Sequence, residues 1–147
     1  MKNTLFSISR PALIVVGLAM SLNCSASLAD VVAVVSVKCP VTTLSKEQVT
    51  NIFMGKTTLF PDGERALPVD QSEGAASRDE FYSRFAEKSA AQIKAYWSRL
   101  IFTGRGQPPK SVLNDSEVKK QLAENPHAIG YIQRDMVDAS VRVLTGN

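Results

Sequence analysis

The sequence has few of the residues that usually build metal centres and disulfide frameworks. Its 147 residues include one histidine, His127, and two cysteines, Cys24 and Cys39. A lone histidine with no neighbouring cysteine or pair of carboxylates does not supply the three or four ligands of a zinc site. We therefore expect no metal site and no bound cofactor.

The chain also lacks a nucleophile paired with a general base. Asp70 and Glu73 lie close together in the sequence, but no further residue completes a catalytic arrangement with them. We therefore expect no catalytic residues and a protein that is not an enzyme.

Runs of basic residues are scarce as well. Lys119 and Lys120 form the only adjacent basic pair, and no segment combines such a pair with spaced aromatic residues. Nucleic-acid binding needs a concentrated basic patch, so the sequence gives it little support. We expect no nucleic acid among the partners.

The start of the chain has the composition of a cleavable secretion signal. Lys2 and Arg10 supply positive charge, and residues 11–22 form an apolar run that is short for a membrane-spanning helix. Ser27 and Ala29 are the small residues that a signal peptidase reads, which predicts cleavage directly after Ala29. A transmembrane anchor is the less favoured alternative.

This cleavage site predicts a signal peptide, residues 1–29, and a single mature domain, residues 30–147. Asn23 stands where a lipoprotein would have a small residue before Cys24, so we do not expect lipidation. Cleavage leaves Cys39 alone, which excludes an intramolecular disulfide and favours a small buried side chain. It also leaves 15 basic against 14 acidic residues, so the sequence pI of about 9.0 overstates the basicity of the mature domain.

Hydrophobic periodicity and helix-start signals predict alternating strands and helices in the mature domain. Three Ser-x-x-Gln/Glu segments, starting at Ser45, Ser77 and Ser89, have the spacing of a capping box. The predicted strands are residues 31–37, 66–69, 128–132 and 141–144, and the predicted helices follow Ser45, Ser77 and Ser89 and cover residues 114–124. The stripe Ile93, Tyr96, Trp97, Leu100 and Ile101 is expected to face the core. This order predicts an α/β three-layer sandwich with a small mixed β-sheet.

Two segments of this order resemble the second lobe of the phosphate-binding proteins of bacterial ABC transporters, in the type 2 periplasmic-binding-protein superfamily. Residues 44–56, LSKEQVTNIFMGK, are similar to the family's L-S-x-E-Q-x-x-x-I-F-x-G-K helix. Residues 125–132, NPHAIGYI, are similar to its P-G-A-I-G-Y-V strand. The resemblance implies a single-lobe short form, because about 118 residues are too few for the family's two lobes.

The resemblance also implies an anion site in residues 71–77, QSEGAAS, which occupy the place of the family's phosphate-holding R-x-D-G-S-G-T loop. Gln71 stands in place of the arginine, Ala75 in place of the serine and Ser77 in place of the threonine, and Glu73 adds a carboxylate. Free amides at a helix start attract anions, and Arg78 is a candidate replacement for the arginine. The predicted anion-binding residues are Gln71, Ser72, Gly74, Ala75, Ala76, Ser77 and Arg78.

Two functions remain open at this stage. The first is a periplasmic solute-binding domain that takes phosphate or a related oxyanion and serves an ABC transporter. The second is an envelope protein-interaction module that uses the same face to dimerise or to bind a protein partner, without a small ligand. For the loop itself, the alternative to an anion site is an ordinary helix start in which the Ser77 hydroxyl only caps the Glu80 amide. Accordingly, the expected partners are a small phosphate-like anion and a second lobe, a second copy of the chain or a membrane transporter.

Overall fold

The computed structural model describes residues 30–144, in which a five-stranded sheet is combined with four α-helices. The predicted signal peptide and the last three residues of the predicted domain lie outside the described residues. In chain order the elements are β1 (Val31–Ser36), α1 (Lys46–Phe53), β2 (Leu67–Gln71), α2 (Ala76–Ala86), α3 (Ala90–Phe102), β3 (Lys110–Val112), α4 (Asp115–Glu124), β4 (Ala128–Gln133) and β5 (Val141–Val143).

The sheet is mixed, with the strand order β3-β2-β4-β1-β5. Strand β2 runs parallel to β3 and β4, whereas β1 runs antiparallel to β4 and β5. Two hydrophobic clusters pack against opposite faces of the sheet, one with α1, α2 and α3 and the other with α4. The predicted α/β three-layer sandwich on a mixed sheet is therefore confirmed.

Strand β1 separates the two cores because its side chains alternate between the faces. Ala33 and Val35 pack on the side of α1 to α3, and Val32 and Val34 pack on the side of α4. All six of its residues are buried, as the continuous run of apolar residues predicts. The buried Cys39 follows the strand, which confirms its predicted role as a small core residue.

Two of the three predicted capping boxes form, at Ser45 and Ser89, with both reciprocal hydrogen bonds in each. The third prediction is wrong. Helix α2 begins at Ala76, its N-cap is Ala75, and Ser77 is already inside the first turn without capping any amide. The helix starts earlier because the carbonyl of Ala75 accepts hydrogen bonds from the amides of Arg78 and Asp79, at 3.0 and 3.1 Å.

The remaining differences from the predicted elements arise from tertiary packing. Strand β2 extends to Gln71, beyond the predicted end at Val69, because it pairs with β3, a three-residue strand that the sequence pattern did not predict. Ile101, which we expected in the core, is 54% exposed near the end of α3. Pro68 lies at the start of β2, before the pairing with β3 begins, a position that suits a residue without an amide hydrogen.

Within residues 30–144, no helix has both the length and the apolar character needed to cross a bilayer.

Candidate functional site

The predicted anion-binding loop lies where the parallel strands end. The carboxyl ends of β2, β3 and β4 and the amino ends of α2 and α4 surround a shallow cavity of about 270 Å³, which we call the strand-end pocket. Ligands of open α/β sheets commonly bind at such an edge, because loops and helix starts converge there. The polar residues lining the pocket are Gln71, Ser77, Asn114, Asp115, Ser116 and Gln133, and its rim includes Leu113 and Met136.

The start of α2 leaves two backbone donors without an acceptor. The Ala75 amide donates to the Ser72 carbonyl at 3.0 Å, and the Arg78 amide donates to the Ala75 carbonyl at 3.0 Å. Between them, the amides of Ala76 and Ser77 donate to no acceptor within residues 30–144. The exposed Gly74 has a φ of +88°, a left-handed conformation that turns the chain into the helix. Free donors at a helix start, together with the helix dipole, favour an anion.

Ser77 is buried, and its side chain lines the strand-end pocket. Its hydroxyl oxygen accepts a hydrogen bond from Nε2 of Gln133, which lies 3.3 Å away at the end of β4. Because the oxygen only accepts in this contact, the hydroxyl proton remains free to donate. Ser77 can therefore offer a side-chain donor as well as a backbone donor.

Gln71 occupies the position of the family's arginine, but its side chain is hydrogen-bonded within the protein. It is buried, and its Nε2 atom donates to Oδ1 of Asp115 at 2.6 Å and to the Tyr131 carbonyl at 3.2 Å. Asp115 also accepts from the Gln133 amide, at 3.2 Å. These donors offset the negative charge that the Asp115 carboxylate brings to the pocket wall.

Ser72 and Glu73 are held away from a ligand by their own contacts. The Ser72 hydroxyl donates to the Val112 carbonyl at 3.2 Å, which fixes the loop to β3. Glu73 forms an exposed ion pair with Lys94 at 2.9 Å, and the hydrogen bond and charge of that lysine lower the pKa of Glu73. The carboxylate is thus already paired with a cation.

Arg78 points towards the interior on the α1 to α3 side and does not line the strand-end pocket. Its Nε atom lies 3.3 Å from Oδ2 of Asp70, and its guanidinium carbon lies 5.1 Å from the centre of the Tyr82 ring. Within residues 30–144, its two terminal nitrogens donate no hydrogen bond. Burial opposes the charge of Arg78 and is the largest single effect, but the charge and hydrogen bond of Asp70, together with Tyr82 and Tyr131, outweigh it and raise the pKa of the guanidinium.

Asp70 is the centre of a buried polar cluster that the sequence analysis did not find. Its carboxylate accepts hydrogen bonds from the hydroxyls of Tyr82 and Tyr131, the guanidinium of Arg78 and the amide of Gln71. Burial and the nearby charge of Asp70 raise the pKa of both tyrosines well above its usual range. Both hydroxyls therefore stay protonated and act as donors.

Within the described part of the chain, no group of three or more histidine, cysteine, aspartate or glutamate residues is arranged to hold a metal ion.

Solved protein structures share this fold, although no protein-family model and no curated protein matches the sequence. A protein from Clostridium perfringens, assigned as a phosphate ABC transporter substrate-binding protein and solved with bound phosphate, matches with a TM-score of 0.61 and 22% identity. An ABC-type phosphate transport receptor from Vibrio cholerae gives 0.63 and 23%, and PstS from Borrelia burgdorferi gives 0.61 and 14%.

Each of these alignments covers 80% of this chain but less than half of the solved protein. The covered share is 46% of the Clostridium protein and 47% of the other two. The chain thus spans about half the length of the proteins that it matches. It has the fold of one half of a phosphate ABC transporter substrate-binding protein.

Proposed function

We propose that this chain is a periplasmic solute-binding domain that takes phosphate or a related oxyanion in the strand-end pocket. The observation that carries the proposal is the pair of free amides on Ala76 and Ser77 at the start of α2, where Ser77 lines that cavity. In the proposed complex these amides, the Gly74 amide and the Ser77 hydroxyl donate to the anion. Ser72, Ala75 and Gln71 hold the loop in shape, and Arg78, which is paired with Asp70, fixes the base of the loop.

The fold supports an anion over other small solutes. The Clostridium protein of the same fold was solved with phosphate bound. Main-chain donors at a helix start bind oxyanions without a dedicated cation, because the helix dipole adds favourable electrostatic energy.

The composition of the pocket predicts weak binding. Gln71 replaces the arginine of the family's loop, and a charged hydrogen bond to phosphate is worth about 1.5–3 kcal/mol. Its loss weakens binding by about tenfold to a hundredfold. The Asp115 carboxylate lies in the pocket wall and repels an anion, which weakens binding further. Hydrogen bonds from the Gln71 side chain and from the backbone amide of Gln133 partly offset its charge.

The sequence features of residues 1–29 support secretion to the periplasm, and the likeness to transport proteins supports an ABC transporter as a partner. The chain spans about half of those proteins. A second lobe, from another chain or a second copy, would complete the enclosure of the anion on the open side of the pocket.

Isothermal calorimetry of residues 30–147 tests the proposal against a panel of phosphate, sulfate and chloride at constant ionic strength. We expect saturable binding of phosphate, accompanied by amide chemical-shift changes from Gly74 to Arg78 in NMR spectra. If millimolar phosphate produces neither heat nor shifts at those amides, the pocket is not an oxyanion site.

One observation favours the protein-interaction module as a second candidate function. Leu113 and Met136, on the rim of the strand-end pocket, are 70% and 36% exposed. Exposed apolar side chains around a concave surface are typical of protein contacts. Size-exclusion chromatography with and without phosphate separates the two functions: a dimer that ignores phosphate and dissociates in Leu113→Asp supports the module, whereas a monomer stabilised by phosphate supports the receptor.

A further inference from the structure

A second and larger cavity lies at the opposite end of the parallel strands from the strand-end pocket. It has a volume of about 470 Å³, and it shares no lining residue with the strand-end pocket. The volume falls in the range of about 300–1,000 Å³ that is typical of small-molecule sites. We call it the strand-start pocket, because it includes the first residues of β2, β3 and β4.

The cavity exists because β3 is shorter than its neighbour. Strand β3 begins opposite Val69, so Leu67 and Pro68 have no partner strand on that side. Pro68 has no amide hydrogen to offer an added strand, and the preceding loop contributes Pro108 and Pro109 to the wall. The gap is therefore suited to a ligand that needs an apolar surface and not to an additional β-strand.

The floor of the strand-start pocket is apolar and firmly held. Trp97, which is 5% exposed, forms part of it, and its ring packs so closely on Gly55 that a Cβ there would lie 3.1 Å from the indole. Gly55 has a φ of +68°, so the glycine suits both the turn and this contact. Ile52 and Ala128 extend the same apolar surface from α1 and β4.

The charge at the edge of this cavity has one sign. Arg65 and Lys110 line it, and the described lining includes no aspartate or glutamate. The Arg65 side chain donates to no acceptor within residues 30–144, and Lys110 Nζ donates only to the neutral amide oxygen of Gln121, at 3.0 Å. Two uncompensated cations beside an apolar floor complement a molecule with an anionic head and a hydrocarbon body.

We propose that the strand-start pocket binds a free amphiphilic carboxylate, with the alkyl chain against Trp97 and the carboxylate between Arg65 and Lys110. This site is independent of the proposed oxyanion site, because the two cavities lie at opposite ends of the same strands.

Titration with decanoate, below its micelle concentration, tests the proposal. Trp97 is the only tryptophan of the chain, so its fluorescence reports directly on the pocket. Calorimetry with the same ligand detects binding that leaves the fluorescence unchanged. We expect saturable binding of decanoate and binding at least about tenfold weaker for decyltrimethylammonium, which has the same chain and the opposite charge. Phosphate is expected not to compete.

The Arg65→Ala and Lys110→Ala variants test whether these two side chains bind the carboxylate head group. Each removes one exposed cation, and we expect each to weaken decanoate binding by about tenfold. Lys38→Ala, which removes an exposed cation outside the pocket, is the matched control and is expected to bind like the unaltered protein. Any one of the following results would overturn the proposal: equal affinity for the two amphiphiles, unchanged affinity in both pocket variants, or competition by phosphate. The absence of saturable binding in both fluorescence and calorimetry would overturn it as well.

Discussion

The Nε atom of Arg78 lies 3.3 Å from Oδ2 of Asp70, and both side chains are buried. The pair joins the start of α2 to the end of β2, on either side of the candidate anion-binding loop. Hydroxyls of Tyr82 and Tyr131 complete the contacts of the carboxylate. A polar cluster therefore holds the base of the loop, and its side-chain donors all donate to Asp70.

Replacing Asp70 with asparagine is expected to destabilise the protein strongly. The substitution leaves the Arg78 charge buried without its partner, and breaking a buried ion pair in this way costs about 3–5 kcal/mol. Urea unfolding, followed by circular dichroism, measures the change in the free energy of unfolding. Asp135→Asn, at an exposed position, serves as the control and is expected to behave like the unaltered protein. A loss below about 1 kcal/mol for Asp70→Asn would contradict the role of the cluster.

The same cluster shows why part of the site was not predictable from the sequence. Asp70 lies 12 residues from Tyr82 and 61 residues from Tyr131, and only the folded sheet and α2 bring them together. Local patterns carry no information about such distant partners. The capping boxes at Ser45 and Ser89 were predictable because each is closed by residues three positions apart.

Ser77 shows that a local pattern can also mislead. The capping-box spacing predicts that Ser77 is the N-cap of α2, but the N-cap is Ala75. Alanine has a high helix propensity, so the helix begins two residues earlier than the pattern indicates. The position of the loop at a strand-to-helix junction was nevertheless predicted correctly, because the strand and helix on either side have clear periodicity. The direction of the Arg78 side chain depends on its contact with Asp70, which the local sequence pattern does not predict.

Ala76→Pro is expected to remove one proposed anion donor while preserving the helix. Ala76 is the first helical residue, where proline is well tolerated, and Ala75 has the extended backbone, φ −69° and ψ 130°, that proline requires before it. Because the proline has no amide hydrogen, we expect phosphate affinity to fall about tenfold, as measured by calorimetry.

Ala90→Pro is the matched control for that variant. Ala90 is the first residue of α3 and follows Ser89, whose backbone is similarly extended at φ −73° and ψ 162°. We expect both variants to keep the stability of the unaltered protein in urea, and only Ala76→Pro to lose affinity. Equal affinity in the two variants would remove the α2 amide from the proposed site.

Gly130→Ala is expected to destabilise the protein through overpacking. A Cβ at this position in β4 would lie 2.4 Å from Cγ1 of Val118, which is fully buried on α4. Relieving such a clash costs about 1–3 kcal/mol of unfolding free energy, measurable in urea. Gly106→Ala, where the nearest atoms lie at 4.0 Å, is the control with little expected change. The double variant Gly130→Ala/Val118→Ala should lose less than the sum of its single variants, and strict additivity would exclude this contact as the cause.

Asp138→Asn is expected to reduce the sensitivity of the fold to acid. Hydrogen bonds from Lys119, at 2.7 Å, and from Ser140 lower the pKa of Asp138 in the folded protein well below its ordinary value of 3.8. A lowered folded-state pKa stabilises the protein above the unfolded-state value, and this stabilisation is lost as the pH falls through the folded-state value. The difference in urea midpoint between the unaltered protein and the variant should therefore narrow as the pH falls from about 6 to about 2. A difference for Asp138→Asn that does not change with pH would show that the Lys119 contact contributes nothing to stability.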